Sequence, residues 1–241
     1  MNIVIDIGNT RTKAGVFKGD QLLHQFSGSV LGVLDHLKPF DGGKVIVSAV
    51  GKGLVEVKTQ YEGRMPVLVF DRQVKIPIQL HYDTPDTLGL DRVAAAIGAS
   101  VVLPGKNVMV VDIGSCITID IVEKGQGFCG GVISPGMNMR FKAMHTFTQN
   151  LPLIEVDEID LKTVTLPALS TRACMIAGVL KAMEFEIAGH FKHYQSIYPD
   201  LALIITGGDA PYFENKFNTP IFTKVSLVLV GLNRVLEHHV A

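Results

Sequence analysis

Two stretches of the chain carry nearly the same string. Asn2 to Thr10 reads N-I-V-I-D-I-G-N-T, and Val108 to Thr118 reads V-M-V-V-D-I-G-S-C-I-T. In each, a β-branched apolar run ends in an aspartate, Asp6 or Asp112, followed at once by Ile-Gly and a small polar residue. Such a run reads as a buried strand, and the glycine lets the turn after it approach a ligand that a Cβ would block. A carboxylate and a donor-rich turn therefore arrive at the same spot, which suits a metal-bound phosphate. One copy opens the chain and the other begins just before its midpoint, so the repeat predicts a duplicated α/β architecture.

Composition permits this. At 241 residues with 47% hydrophobic content, the chain can bury the core of one large domain or two moderate ones. The net charge is -1, and no stretch gathers the roughly five like charges that mark a nucleic-acid or polybasic membrane patch. A small ligand is expected, with no nucleic-acid or membrane partner. The chain opens directly on a strand-like run, without a signal-peptide pattern or an apolar run of ~18 residues, so a cytoplasmic location is expected. Cys116, Cys129 and Cys174 are odd in number and form no C-x-x-C, which argues against a disulfide framework or a structural zinc site.

Along the chain, residues 2–7, 13–17 and 22–29 read as three strands, the last two joined by a Gly19-Asp20 turn suited to a hairpin. A helix over 31–37, a strand over 45–50, a helix over 54–61 and a strand over 67–70 then imply parallel pairing with helical crossovers. An Ala-rich helix over 90–102 ends at Leu103-Pro104-Gly105, the best domain boundary. Two domains are expected, 1–104 and 105–241, with the last helix free to pack back on the first. The second domain restarts with strands near 107–113, 116–122 and 127–133. It continues with a helix to about His145, a long helix from Ser170 to about Tyr198, a strand over 201–206 and a closing amphipathic helix over 226–239.

The chemistry-bearing residues cluster at the turns. Asp6-Ile7-Gly8-Asn9-Thr10-Arg11-Thr12-Lys13 is the densest polar group on an apolar strand pair. Its carboxylate suits a water-bridged Mg²⁺, its amides and hydroxyls suit phosphates, and Lys13 suits a transferred group as a point charge. Asp112-Ile113-Gly114-Ser115 repeats the geometry, and two converging carboxylates require cations between them. Gly89-Leu90-Asp91-Arg92 stands where a polar loop meets the Ala-rich helix. There Asp91 reads either as a helix cap or as a carboxylate that accepts a substrate hydroxyl proton beside a substrate-holding Arg92.

Other motifs are weaker. Gly125-x-Gly127-x-x-Gly130 matches the dinucleotide fingerprint but opens no helix, so it reads as part of a hairpin, and no P-loop string occurs. The Gly131 to Gly136 turn precedes a helix and lets amides approach a ligand. Thr206-Gly207-Gly208-Asp209 suits either an adenosine contact or a plain turn before a helix. Ser170-Thr171 reads as a helix start.

In their joint order these motifs resemble the type III pantothenate kinase family, within the superfamily of acetate and sugar kinases, heat-shock chaperones and actin. The resemblance rests on D-I-G-N-T-R-T-K at Asp6 to Lys13, Tyr82 ahead of G-L-D-R at Gly89 to Arg92, and D-I-G-S at Asp112 to Ser115. It continues through G-G-V-I-S-P-G at Gly130 to Gly136, Ser170-Thr171 and T-G-G-D-A at Thr206 to Ala210. It implies a duplicated ribonuclease H-like (actin-like ATPase) α/β fold, with two mixed-sheet domains flanking a central cleft. ATP contacts would fall on Asp6, Ile7, Gly8, Asn9, Thr10, Arg11, Thr12, Lys13 and Ser115, with Mg²⁺ held by Asp6 through water.

Asp91 would be the catalytic base, and Tyr82, Gly89, Leu90, Arg92 and Thr171 would join it around pantothenate, Thr171 near the partner subunit of a homodimer. Asp112 would hold a monovalent cation, K⁺ or NH₄⁺. One departure is visible: the family usually reads Asp-x-Gly-Thr-Ala, whereas this chain has Gly114-Ser115-Cys116, a change that bears most on the monovalent cation. The implied reaction is ATP-dependent phosphorylation of pantothenate to 4′-phosphopantothenate, the first step of coenzyme A synthesis. The rivals are another small-molecule kinase of the same superfamily and a nucleotide-binding accessory or regulatory protein without turnover.

Overall fold

A computed structural model describes residues 1–8, 10–49, 53–159, 164–213, 216–217 and 226–240. The chain divides into two compact units, Met1–Lys106 with Val122–Gly130 and Val225–Ala241, and Asn107–Ile121 with Gly131–Lys224.

In the first unit, β1 (Asn2–Ile7), β2 (Thr12–Lys18), β3 (Gln21–Gly28), β4 (Lys44–Ala49) and β5 (Val67–Val69) form a sheet of order β3-β2-β1-β4-β5. Pairing is antiparallel across β1, β2 and β3 and parallel across β1, β4 and β5. β1 is central and covered on both faces, so it is apolar at nearly every position instead of alternating. Ile3, Ile5 and Ile7 join one buried cluster with Val33, Leu34 and Leu37 of α1 (Val30–Leu37) and with Val57 and Tyr61 of α2 (Leu54–Tyr61).

α6 (Leu227–Val240) packs against β1, β2 and β4 and, most extensively, against α3 (Leu90–Val102). Small residues make that helix pair close: a Cβ at Gly231 would strike the Ala94 backbone, and one at Gly98 the Leu227 backbone. With nothing larger at the crossing, the two backbones come within direct contact. Asn2 ties the same helix to β1, its Nδ2 donating to Asn233 Oδ1 at 2.9 Å.

The second unit contains β6 (Val108–Ile113), α4 (Met137–Thr146), α5 (Thr171–Ile197) and β9 (Ala202–Thr206). The second sheet runs β8-β7-β6-β9, where β7 is Cys116–Glu123 and β8 is Gly127–Pro135. This repeats the β3-β2-β1-β4 order of the first sheet, with β6 in the place of β1 and a parallel β6–β9 pair in the place of β1–β4. The duplication read from the two Asp-Ile-Gly strings is present in the topology.

Among the described residues, three short 3-10 turns depart from the sequence reading. Pro85–Thr87 lies inside the segment read as a polar loop, Val156–Glu158 lies between the helix that ends near His145 and the one that starts at Ser170, and Ala210–Phe213 replaces the helix expected after Thr206-Gly207-Gly208-Asp209. Proline at the first position of Pro85–Thr87 and at the second of Ala210–Phe213 sets φ for a tight turn without supplying enough following residues to propagate a helix.

Candidate active site

The first polar group is the β1–β2 turn. In register, Asp6 faces Lys13 on β2 and Ser48 on β4, which places the Asp6 and Lys13 Cβ atoms about 5 Å apart on one face of the sheet. Gly8 N donates to Arg11 O at 3.2 Å and closes the turn. Gly8, Thr10 and Arg11 are exposed, Asp6 and Lys13 half-buried, and Thr12 buried. Ile7 contributes only its backbone here, because its side chain lies in the core. Asn9 lies outside the described residues.

The second group opens α3. Gly89 is its N-cap and Asp91 stands in the first turn, where the aligned peptide dipoles favour negative charge. Asp91 is exposed, and its Oδ1 accepts from Arg92 N at 2.9 Å. Arg92 is buried, 6% exposed. Its Cζ lies 5.9 Å from the centroid of the Tyr82 ring and 5.5 Å from that of Phe128.

Leu90 lies on another face of α3. With Val93 it lines a cavity of about 360 Å³ that also takes in Phe70, Val74 and Leu80. The loop before Gly89 is held by Arg72, whose guanidinium donates to Pro85 O at 2.6 Å and Leu88 O at 3.0 Å. Thr87 Oγ1 adds a bond to Thr84 O at 3.0 Å.

The third group lies in the second unit, at the end of β6. Asp112 is half-buried and in register with Thr206 on β9, and Ser115 is exposed. Backbone presses on this turn from two directions. Gly136 N donates to Ser115 O at 3.1 Å, and Asp209 N to Ile113 O at 3.0 Å. A Cβ at Gly136 would strike the carbonyl oxygens of Gly114 and Ser115, and one at Gly207 the Ile113 backbone and the Asp112 carboxylate. Gly207 also holds φ at 106°, which a side chain rarely adopts.

Behind Gly136, Glu186 of α5 accepts from Ser134 Oγ at 2.5 Å and pairs with Arg140 of α4. The Arg140 Nε also donates to Pro135 O at 2.8 Å. Burial pushes the Asp209 carboxyl above its ordinary range. Thr171, also in this unit, is exposed at the start of α5, beside the N-cap Ser170 whose Oγ accepts from Ala173 N at 3.2 Å.

The candidate residues thus gather as Asp6–Lys13, as Tyr82 with Gly89–Arg92, and as Asp112–Ser115 with the Gly136 and Gly207 turns. Sequence reasoning passed over Phe128, Arg72, Arg140 and Glu186. Phe128 carried a faint signal, a lone large ring within G-F-C-G-G, while the other three act through contacts distant in sequence. The fingerprint-like glycines belong to the β7–β8 hairpin, with φ of 78° at Gly125, 96° at Gly127 and 85° at Gly130.

Known proteins bear directly on this arrangement. Structures with a similar fold include one described as a putative Baf family transcriptional activator from Campylobacter jejuni (TM-score 0.65, 22% identity, 98% of each chain). Another is a ROK hexokinase from Thermus thermophilus (TM-score 0.53, 12% identity, 98% of this chain and 99% of that one). At these identities they show the fold alone, the duplicated actin-like fold of sugar kinases. Sequence relatives go further. Proteins named type III pantothenate kinase from Cytophaga hutchinsonii and Phocaeicola vulgatus are 38% and 37% identical, over 100% of both chains in the first case and 99% of both in the second. The profile of that family matches residues 2–193, and the chain belongs to the type III pantothenate kinase family.

Proposed function

We propose that the chain transfers the γ-phosphoryl group of ATP to the primary hydroxyl of pantothenate, giving 4′-phosphopantothenate and ADP, the first step of coenzyme A synthesis. The observation that carries this reading is the pair of consecutive residues at the start of α3. Asp91 offers an exposed carboxylate, and Arg92 offers a buried guanidinium against two adjoining aromatic rings. Asp91 orients the attacking hydroxyl and takes its proton, while Arg92, Gly89, the Leu90 backbone and Tyr82 hold the other end of the substrate.

On the nucleotide side, the amides and hydroxyls from Gly8 to Thr12 receive the phosphates, and Lys13 neutralises charge on the transferring group. Ser115 and the Gly207 turn serve the rest of the nucleotide. Phosphoryl transfer asks little covalent chemistry of the protein, so positioning and charge carry most of the rate.

The donor set fits a hard divalent cation. Among the described residues no group of three or more His, Cys, Asp or Glu side chains gathers as a metal cage, and Mg²⁺ is commonly held by one or two carboxylates together with substrate phosphates. Asp6 would hold it through water, and the ion would supply screening of the phosphate charge. Asp112 is the candidate for a monovalent cation.

A homodimer is also proposed, with Thr171 reaching substrate held by the partner subunit. Leu166, Leu169 and Phe185 are 58%, 93% and 65% exposed around the start and middle of α5, an apolar surface that a second copy would cover. No helix among the described residues is long and apolar enough to cross a membrane, and a cytoplasmic location is the reading adopted.

The test is ADP release by purified protein with ATP and Mg²⁺, scored with pantothenate against hexoses and acetate, with potassium, ammonium or sodium as the only monovalent ion. Release with pantothenate supports the assignment; release only with a sugar, or with nothing, rejects it. Asp91→Asn is expected to keep ATP binding and lose about 10²- to 10⁴-fold in kcat. Turnover close to that of the unchanged enzyme would remove Asp91 from the role of base.

A further inference from the structure

Phe128 stands at the junction of the residues assigned to the substrate, although none of the chemistry requires an aromatic ring. It is fully buried. Its N donates to Gln79 O at 3.0 Å and its O accepts from His81 N at 2.8 Å, so residues 79–81 lie against the start of β8 as a short parallel bridge. That bridge delivers the next residue, Tyr82, to the Phe128 ring, edge-on at 5.8 Å and 64°. Gly127 makes the approach possible, because a Cβ there would strike the Gln79 backbone. From the same position the Phe128 ring lies 5.5 Å from the Arg92 guanidinium carbon, beside the Tyr82 ring at 5.9 Å, so that the two rings and the guanidinium touch one another in a triangle.

A guanidinium held by ring faces is attracted to their π clouds and keeps its N–H fork directed in its own plane. The ligand that matches such a fork is a flat pair of oxygens, a carboxylate. We propose that Phe128 is a positioning residue that, with Tyr82, fixes the plane of Arg92 and so makes the site selective for substrates that end in a carboxylate. This rests on the reading of Arg92 as the residue that holds pantothenate. Phe128 acts through Arg92 and touches no reacting atom.

The experiment compares pantothenate with panthenol, which carries an alcohol in place of the carboxylate. Panthenol is measured as a substrate or, where its turnover is too slow, as a competitive inhibitor. Phe128→Leu is expected to raise KM for pantothenate about 3- to 30-fold with kcat maintained, and to leave the constant for panthenol unchanged. Equal weakening of both ligands, a fall in kcat alone, or no change in either constant would overturn the proposal in favour of plain packing. Should Phe128→Leu fail to fold, Phe128→Met keeps the volume without a π face and carries the same test.

Arg92→Lys separates the two levels. If it leaves the preference for pantothenate over panthenol intact, the reading of Arg92 fails and the proposal falls with it. If it abolishes the preference while the Phe128 variants retain it, only the role of Phe128 falls.

Discussion

In the first Asp-Ile-Gly turn Thr10 and Arg11 are exposed, and a lysine stands opposite the aspartate; in the second, backbone closes in from two neighbouring segments. Asp6 has Lys13 across the strand pair, with Gly8, Thr10 and Arg11 exposed after it. Asp112 has the Gly114-Ser115 turn, closed by Gly114 N donating to Cys116 O at 2.9 Å and packed by Gly136 and Gly207. The same strand-and-carboxylate unit has been specialised by side chains in one copy and by absence of side chains in the other. A duplicated sheet can thus present a charged edge and a backbone-lined edge without changing its strand order.

Substitutions can break that contrast. The largest effect is expected at Lys13: Lys13→Ala should lower kcat/KM by on the order of 10²- to 10³-fold in an ADP-release assay, the usual loss when a group that stabilises developing charge is removed. Asp112→Asn should cost less and alter instead the response to potassium, ammonium and sodium. Equal losses at both positions would erase the distinction between the copies.

Next comes stability. Gly136→Ala forces a Cβ into two carbonyl oxygens and should destabilise by about 1–3 kcal/mol in denaturant unfolding. Gly8→Ala meets only Arg11 O at 3.2 Å, so it should unfold close to the unchanged protein while raising KM for ATP. A Gly8→Ala variant as unstable as Gly136→Ala would show that the first turn is caged as well.

The smallest effect concerns pH. Burial raises the Asp209 carboxyl above its ordinary value of 3.8, so the folded state binds this proton more tightly than the unfolded chain does. Its contribution to stability is therefore full below about pH 4 and lost as pH rises through the folded pKa. Relative to Asp209→Asn, the unchanged protein should gain thermal stability as pH falls from 7 towards 4. A difference in Tm that stays flat over that range would show that Asp209 is not desolvated.

Much of this was legible in the sequence because strand-to-turn junctions are local. The Asp6 and Asp112 runs, the Gly19-Asp20 and Lys124-Gly125 hairpins and the Ala-rich α3 announce themselves through hydrophobic run length and turn chemistry. The start of β2 at Thr12 and the extension of β8 to Pro135 moved only element ends, where local signals are weakest. What could not be read was tertiary. Phe128 meets Arg92 through a bridge to residues 79–81, Arg72 reaches the carbonyls of Pro85 and Leu88, and Glu186 crosses from α5 to anchor Arg140. Each is an ordinary residue locally and gains meaning only from a distant neighbour.

The docking of α6 carries a consequence for biosynthesis. Leu227–Val240 supplies the surface against which α3 and β1 pack, and Asn2 near one end of the chain bonds to Asn233 near the other. Because synthesis runs from the N-terminus, the unit that bears Asp6 and Asp91 lacks part of its core until α6 has left the ribosome. These contacts of high sequence separation are slow to close, so the nascent first unit waits with apolar surface uncovered, a window in which a chaperone has something to hold.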